Sequence, residues 1–513
     1  MKKRIFATIL AAIAAVSLAA CGQSKPASDN SVASTANTSD ATPADGGNFV
    51  YGLATEVDNF DPFTATTADA KSIYFNIYEG LVKVNPDGTF SGAVASDYKI
   101  SDDAKTYTFT LRDGVKFHNG AVVTTDDVLY SIQHAIDSGI PGYDNVDSFE
   151  ATDDKTIVVT LKKGDADFLA IASQAIIPKD SDNQGELALA PIGTGPYKFA
   201  SYAVQDHVTL DKNPDYWGTP AHLNEIIIRF IASSSDLLVN YQSGAIDGFT
   251  ANAAISEQVD KNSSTINVGH SNAVQALYLN NANTPFDDVR VRQALSYAVD
   301  SEGVINTVDY GYGTEIGTAM IPGLSSFFND DVTHAYDVDV KKAKHLLSDA
   351  GYPNGFSFTV KVPSNYQVHL DSAQVLVNQL AKAGITMDIQ QVDWATWLEN
   401  VYTNRDYDAT IISVDGSIAS PTAFLSRYVS DAHNNFVNFN SKDYDAAYAK
   451  ATAAVDQEKR VAGFKECQKI LSDEAASVYI QDIANNFVYS TKFAGYTGYP
   501  LYAVDFASVY RIQ

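Results

Sequence analysis

The sequence contains very little cysteine, and this scarcity limits how the chain can be stabilised. Cys21 and Cys467 are the two cysteines among 513 residues. A disulfide framework and a cysteine-rich zinc site are therefore excluded, so stability has to come from buried apolar side chains. The nine histidines show no His-x-x-x-His spacing, and no Gly-x-Ser-x-Gly motif occurs. These absences argue against a catalytic zinc site and against a serine hydrolase, and we predict no metal, no cofactor and no enzymatic activity.

Positive charge is also scarce. The chain has 35 Lys and Arg against 62 Asp and Glu, which gives a net charge of −27. Nucleic acids and anionic lipids both reward clustered basic side chains, so this balance argues against either as a partner. We interpret the acidic surface as a solvated one that keeps the protein soluble and monomeric.

A long apolar run occurs only at the N-terminus. Basic residues at 2–4 precede the apolar run 5–16, as in a secretory signal, and the run is too short to span a bilayer permanently. The sequence Leu-Ala-Ala-Cys-Gly at 18–22 matches a bacterial lipobox, in which the cysteine thiol receives a diacylglycerol. We therefore predict a signal peptide at 1–20, lipid attachment at Cys21, and a location on the outer face of the plasma membrane.

The composition changes along the mature chain. Residues 21–47 are mostly small and polar, which predicts a flexible tether with ordered structure from about residue 48. The first half then shows strand signals, with alternating patterns at 106–112 and 156–162.

The second half alternates between helix and strand patterns. A helix at 340–350 ends at glycine, and the next segments read as strand, helix, strand, helix and strand, at 356–362, 371–383, 385–389, 394–402 and 408–414. This order predicts an α/β unit built on a mainly parallel sheet.

Several phrases along the chain resemble the solute-binding proteins of the oligopeptide, dipeptide and nickel importer family. They occur in the family's order at 77–81, 106–127, 191–197, 213–217, 285–294 and 343–353. The resemblance implies a two-lobed, hinge-connected fold of the enlarged class II periplasmic-binding-protein type. It implies lobe I at 48–272 plus 486–513, with an extra subdomain at about 81–190, and lobe II at 273–485.

The resemblance also implies the function: capture of a small solute between the lobes, and delivery to the membrane subunits of an ABC importer. A peptide is the favoured solute. An oligosaccharide or another polar solute is the alternative, and a surface hydrolase or an adhesin is a third hypothesis from a different class.

The candidate ligand residues come from matching the family's cleft segments. Peptide-binding relatives carry an aspartate for the ligand's ammonium group where this chain has Ser417, and Asp415 is a candidate replacement. Trp394 matches a tryptophan that touches ligand side chains, whereas Trp397 is expected in the core.

The remaining candidates lie on two loops. Asn365 and Tyr366 follow a predicted strand, at the end where parallel sheets place ligands. The arginine that dipeptide-specific relatives carry near this loop is absent, which argues against strict dipeptide specificity. Thr66 and Thr67 match the lobe I edge of the cleft.

Overall fold

The computed structural model describes residues 42–65, 67–182, 185–416 and 418–513. The predicted signal peptide at 1–20, the lipidation site Cys21, and the candidate residues Thr66 and Ser417 lie outside the described residues. The strands, in chain order, are β1 (Pro43–Ala44), β2 (Asn48–Leu53), β3 (Val82–Val84), β4 (Phe90–Gly92), β5 (Ala95–Ile100), β6 (Thr106–Leu111), β7 (Val146–Ala151), β8 (Thr156–Leu161), β9 (Tyr197–Ala203), β10 (His207–Lys212), β11 (Glu225–Phe230), β12 (Gly248–Ala251), β13 (Ser264–Asn267), β14 (His270–Leu279), β15 (Thr314–Glu315), β16 (Ser357–Pro363), β17 (Thr386–Val392), β18 (Ala409–Asp415), β19 (Ser477–Ala484), β20 (Asn486–Ser490), β21 (Phe493–Ala494) and β22 (Tyr510–Ile512).

The helices lie between these strands, and most begin at a residue whose side chain caps the first turn. They are α1 (Ala68–Ile77), α2 (Thr125–Asp137), α3 (Phe168–Ile171), α4 (Ser234–Gln242), α5 (Ala253–Ser256), α6 (Val289–Ala298), α7 (Ser301–Val308), α8 (Val340–Asp349), α9 (Gln367–Ala381), α10 (Trp394–Trp397), α11 (Pro421–Leu425), α12 (Lys442–Thr452) and α13 (Gln457–Asp473). A π-helical stretch, Leu398–Thr403, continues α10. Within the described residues, no helix is long and apolar enough to cross a membrane.

A seven-stranded sheet has the order β13-β20-β12-β2-β11-β10-β9. Its central strand β2 is parallel to β11 and β12, and the outer pairs are antiparallel. Ile226 and Ile228 are two residues apart on β11, and both are fully buried. They point to the same face because every second side chain of a strand does so. Phe49 of β2 joins them in a core that extends to the next sheet.

The four-stranded antiparallel sheet has the order β5-β6-β8-β7. It contains both strands that the alternating patterns at 106–112 and 156–162 predict, and β6 and β8 are direct neighbours. Tyr107, Phe109 and Ile157 point into the same core as the seven-stranded sheet. The two sheets therefore form one packed body.

The six-stranded sheet has the order β15-β19-β14-β18-β16-β17. Only β17, β16 and β18 run parallel, so the prediction of a mainly parallel sheet is wrong for the other half. The reason is that β14 enters from the seven-stranded sheet whereas β19 leads back to it, so these two neighbours run antiparallel to each other. The helix predicted at 371–383 begins earlier, at Gln367, because Leu370 extends the buried stripe by one turn.

The chain passes between the seven-stranded and six-stranded sheets twice, once from β13 to β14 and once from β19 to β20. We call residues 268–273 and 482–485 the sheet crossing. Its two segments are hydrogen-bonded to each other, since the Asn485 N–H donates to the Gly269 carbonyl at 2.9 Å. Asn272 has a φ of 54°, and the β14–β19 pairing shifts register between His270 and Val274. The crossing is thus a paired but irregular ribbon.

Part of the segment predicted as a tether, 21–47, is paired with the rest of the chain. In β1, Pro43 is the partner of Ile512 and Ala44 is the partner of Arg511. The Gly46 N–H also donates to the His222 carbonyl at 2.8 Å. Fixed structure therefore starts before residue 48. Its first residues pair with the edge strand β22, and the local sequence pattern does not reveal this partner.

Candidate functional site

Three of the sequence-predicted ligand segments lie at the same edge of the six-stranded sheet. Asn365 and Tyr366 follow β16, Trp394 follows β17, and Asp415 is the last residue of β18. These three strands are parallel neighbours, so their carboxyl ends meet at one edge. Open α/β sheets bind ligands outside the carboxyl ends of their strands. We call this group of residues the strand-end site.

Two tryptophans at this edge differ in exposure although they stack on each other. The rings of Trp394 and Trp397 are 5.1 Å apart and nearly parallel. Trp397 is 3% exposed and donates from Nε1 to Thr410 Oγ1 at 2.9 Å, whereas Trp394 is 38% exposed. The expected division into one core and one accessible tryptophan is confirmed. Because Trp397 is held in the core, stacking on it fixes the orientation of the Trp394 ring, and the other face of the Trp394 ring is available to a ligand.

Tyr366 adds a second exposed aromatic ring to the strand-end site. It meets Trp394 edge to face, with 5.7 Å between centroids and 78° between planes. Asn365, immediately before it, is exposed. The two rings form an open corner that can pack against the apolar part of a ligand while leaving its polar groups in water.

Asp415 supplies the negative charge of the strand-end site. Its carboxylate is exposed and accepts a hydrogen bond from the Tyr502 hydroxyl at 3.1 Å. Tyr502 belongs to the C-terminal segment, and burial followed by the nearby Asp415 charge raises its pKa, so the hydroxyl stays protonated as a donor. Sequence reasoning missed Tyr502, since its only local signal is a run of aromatic and glycine residues at 495–502.

Thr67 belongs to another element. It is the N-cap of α1, where its Oγ1 accepts from the Ala70 N–H at 3.2 Å, and its side chain is exposed. The helix α1 packs against the C-terminal segment, with the rings of Phe75 and Tyr499 at 4.7 Å. Thr67 is therefore not part of the edge that holds Tyr366 and Trp394.

A buried polar chain runs behind the strand-end site. The Ser413 N–H of β18 donates to His369 Nε2 at 3.2 Å, and the Gln275 amide lies 2.9 Å from His369 Nδ1. The Gln481 amide donates to Gln275 at 2.9 Å. Burial lowers the pKa of His369 to about 4, so the imidazole is neutral near pH 7. This chain of hydrogen bonds fixes the position of β18 two residues before Asp415 without adding a charge.

Two buried acids hold the sheet crossing. The Asp482 carboxylate accepts from the Ser271 hydroxyl at 2.9 Å and from the Ala273 N–H at 3.2 Å, and Asp309 accepts from the Ala484 N–H at 2.8 Å. Burial raises the pKa of Asp482 to about 7 and that of Asp309 to about 6. Both acids therefore titrate near neutrality. They lie at the only place, within the described residues, where the chain passes between the body of the seven-stranded sheet and the body of the six-stranded sheet.

A second connection between the bodies is made by side chains alone. Asp167, just before α3, pairs with Arg460 of α13 and accepts a hydrogen bond from Thr422 of α11. The Asp167 and Arg460 side chains are each 7% exposed. Arg460 also lies over the Phe464 ring, 5.1 Å from its centroid, and burial lowers its pKa to about 10. Arg460 stays charged near pH 7, so this is a buried ion pair between distant segments.

The free cysteine and the glycines at 193 and 195 have structural roles. Cys467 is fully buried in the core, and burial raises the pKa of its thiol to about 12. Gly193 and Gly195 pack against the end of α1, where an added Cβ would lie 2.0 Å from the Ile77 carbonyl oxygen and 2.5 Å from that of Asn76. Among the described residues, no three His, Cys, Asp or Glu side chains are placed to hold a metal ion.

Comparison with known proteins identifies the family. The model of the bacterial extracellular solute-binding proteins, family 5, matches residues 89–436, about two thirds of the chain. The chain belongs to this family. The family 5 assignment agrees with the two-lobed α/β fold that the resemblance implies, because the solved structures that superpose on this chain are such proteins.

Relatives of this family 5 protein carry names that refer to several solutes. Heme-binding protein A of Haemophilus influenzae is 28% identical, with 97% of each chain covered. The oligopeptide-binding protein AppA of Bacillus subtilis is 25% identical, with 98% of this chain and 97% of that protein covered. The periplasmic binding protein DppA of Helicobacter pylori, solved with the peptide STSA, is 28% identical with a TM-score of 0.71 and covers 92% of this chain and 99% of its own. The family is one of binding proteins that serve ABC transporters.

Proposed function

We propose that this chain is the lipid-anchored solute-binding protein of an ABC importer and that its solute is a peptide. The observation that carries the proposal is the strand-end site, where an exposed aromatic corner and a carboxylate stand at the carboxyl ends of three parallel strands. The names of AppA and of the DppA complex support a peptide as the solute.

Each group at this site has a role toward a peptide. Asp415 would pair with the free ammonium group, a charge-assisted hydrogen bond that contributes roughly 1.5 to 3 kcal/mol when water is excluded. Trp394 and Tyr366 would pack against peptide side chains, since aromatic rings offer large apolar faces. Asn365 would contact the peptide main chain from this edge, and Ser417 would be a further ligand-binding residue.

The opposite wall of the cleft would come from lobe I, 48–272 plus 486–513, closing on lobe II, 273–485. Thr66 and Thr67 would contact the solute from that wall. Tyr502 supports this arrangement because its hydroxyl already reaches Asp415 from the C-terminal segment. A ligand held by both lobes favours the closed form, since only that form satisfies all its contacts.

Lipid on Cys21 would keep the protein at the outer face of the plasma membrane, where it meets the importer's membrane subunits. The lipobox at 18–22 supports this location. Several acyl chains hold a protein on a membrane, at roughly 0.8 kcal/mol per buried methylene. The protein would act there as a monomer.

The peptide assignment is tested by thermal unfolding in the presence of peptide libraries. A peptide at one hundred times its dissociation constant should add about 2.7 kcal/mol to the free energy of unfolding. Oligosaccharides and hemin serve as comparison ligands, because the exposed rings suit a sugar and one relative is named for heme. A shift with either of these and none with peptides would contradict the assignment.

The site is tested by Trp394→Ala, with Leu398→Ala as the matched control. Both side chains are nearly equally exposed, at 38% and 39%, on the same helical segment. Trp394→Ala should weaken peptide binding about tenfold and change the free energy of unfolding by less than about 1 kcal/mol. Equal losses of peptide affinity in both variants would show that Trp394 does not belong to the binding site. The peptide assignment itself would then be decided by the library experiment.

A further inference from the structure

Arg427 differs from the buried arginines Arg292 and Arg460 because most of its hydrogen-bonding groups are unused. Arg292 donates from Nε, Nη1 and Nη2 to main-chain carbonyls, and Arg460 pairs with Asp167. Arg427 is half-buried, and its one hydrogen bond within the described residues runs from Nη2 to the Asp415 carbonyl oxygen at 3.4 Å. Its Nε is buried without a partner, and no described Asp or Glu forms an ion pair with it. Because a partly desolvated cation without a counter-ion is unfavourable, this position suits an anion from outside the chain.

The segment that carries Arg427 is anchored on both sides. Arg427 lies on a short 3-10 turn directly after α11. Phe424 and Leu425 before it, and Tyr428 after it, are buried in one core of the six-stranded sheet. Phe424 also packs on Gly416, where an added Cβ would lie 2.7 Å from the phenylalanine ring, so the loop after β18 lies close against α11. The backbone at Arg427 is therefore held in a fixed position relative to the end of β18.

The charge of Arg427 lies at the level of the strand-end site. The Tyr278 hydroxyl donates to the Val274 carbonyl at 2.8 Å, and Val274 pairs with Val414, the residue before Asp415. Burial raises the pKa of Tyr278, and the Arg427 charge opposes this rise, which agrees with a guanidinium close to this end of the sheet. Arg427 and Asp415 therefore provide a positive and a negative group at the same end of β18.

We propose, resting on the peptide function proposed above, that Arg427 makes this protein prefer peptides whose first residue is acidic. Asp415 would take the free ammonium group, and Arg427 would take the side-chain carboxylate of the same peptide residue. The Asp415 carboxylate leaves Arg427 free for this role, because its own hydrogen bond comes from the Tyr502 hydroxyl. Arginine suits the role because its planar fork can bind both oxygens of a carboxylate. In an N-terminal Asp or Glu the two charges are only a few bonds apart, which matches two receptor groups that meet at one residue.

The test uses a binding peptide from the library experiment, synthesised with Gln or with Glu as its first residue and otherwise identical. Calorimetric titration of the purified chain at constant ionic strength should give about tenfold tighter binding for the Glu form, because that form adds one charge-assisted ion pair. Arg427→Met should abolish this preference and leave the affinity for the Gln form within about twofold. Arg427→Lys keeps the charge but loses the fork, so it should retain part of the preference even if the Met variant does not fold.

Arg405→Met is the matched control. Arg405 is also half-buried with an unpartnered Nε, but it precedes the opposite end of β18, where its Nη2 donates to the His433 carbonyl at 3.0 Å. This variant makes the same charge change and should keep the full preference for the Glu form.

Three results would overturn the inference. The first is equal affinity of the wild type for the Gln and Glu forms, which leaves the peptide assignment intact. The second is an equal loss of preference in Arg427→Met and Arg405→Met. The third is a gain in affinity of Arg427→Met for the Gln form, which would show that Arg427 is the counter-charge of Asp415. If no library peptide binds, the peptide assignment itself fails, and this inference fails with it.

Discussion

Two of the connections between the body of the seven-stranded sheet and the body of the six-stranded sheet are built in opposite ways. The sheet crossing joins them by continuous strands whose backbones are hydrogen-bonded, whereas Asp167 and Arg460 join them by side chains from segments far apart in the chain. A paired backbone ribbon can bend but cannot separate, and a side-chain contact can separate completely. The comparison teaches that the crossing suits a hinge and the ion pair suits a reversible closing contact.

The largest expected effect comes from breaking the closing contact on one side. Arg460→Met leaves the Asp167 carboxylate buried without its partner, which should lower the free energy of unfolding by about 3 to 5 kcal/mol in urea denaturation. Asp167→Asn combined with Arg460→Met removes both charges and should recover most of that loss. A coupling energy near zero in this double-mutant cycle would show that the pair does not hold the bodies together.

The next effect tests the crossing through its acid. The pKa of Asp482 is about 7 in the folded protein, above its ordinary 3.8. The folded state therefore holds a proton that the unfolded chain releases, so this contribution to stability is complete below about pH 4 and is lost as the pH rises through 7. Asp482→Asn should remove this decline and be more stable than wild type at pH 8 by a few kcal/mol.

Urea denaturation at several pH values checks this expectation. Asp309→Asn is the control at the same crossing, and it should remove a smaller decline that ends near pH 6, since the pKa of Asp309 is about 6. A wild-type pH dependence that survives in Asp482→Asn would exclude this carboxyl group as its origin.

The smallest effect concerns a second side-chain contact, between Tyr502 and Asp415. Tyr502→Phe removes one hydrogen bond to an exposed carboxylate and should change the free energy of unfolding by less than about 1 kcal/mol. It should raise peptide affinity a few-fold, because Asp415 loses a partner that competes with the ligand ammonium. Tyr499→Phe is the matched control, since that hydroxyl points to Asp505. Equal peptide affinity in Tyr502→Phe and Tyr499→Phe would show that Asp415 does not take part in ligand binding.

The fold was predictable where the apolar pattern of a single helix or strand specifies it. The helix and strand patterns of the second half identify β16, α9, β17 and β18, because each buries a periodic apolar face. Parallel strands place their following loops together, so Tyr366, Trp394 and Asp415 were predictable as neighbours. The antiparallel half of that sheet was not, since β14 comes from the seven-stranded sheet and β19 returns to it.

The contacts between bodies could not be predicted from the sequence. Tyr502 and Asp415 are 87 residues apart, and Thr422 and Asp167 are 255 residues apart. Arg460 follows Glu458 and Lys459 in a charged stretch that is typical of a solvated helix start. Its burial depends on how α13 packs against the distant segment that carries Asp167, and no periodicity within a single element records that contact.

The pairing of β1 with β22 has a practical consequence for handling the protein. Pro43 lies beside Ile512, so the chain leaves toward its predicted lipid anchor from the same corner where the last strand ends. A biotin or a DNA handle coupled after Gln513 would hold each molecule by that corner. Such a support would therefore hold each molecule at the corner from which the predicted lipid tether would extend.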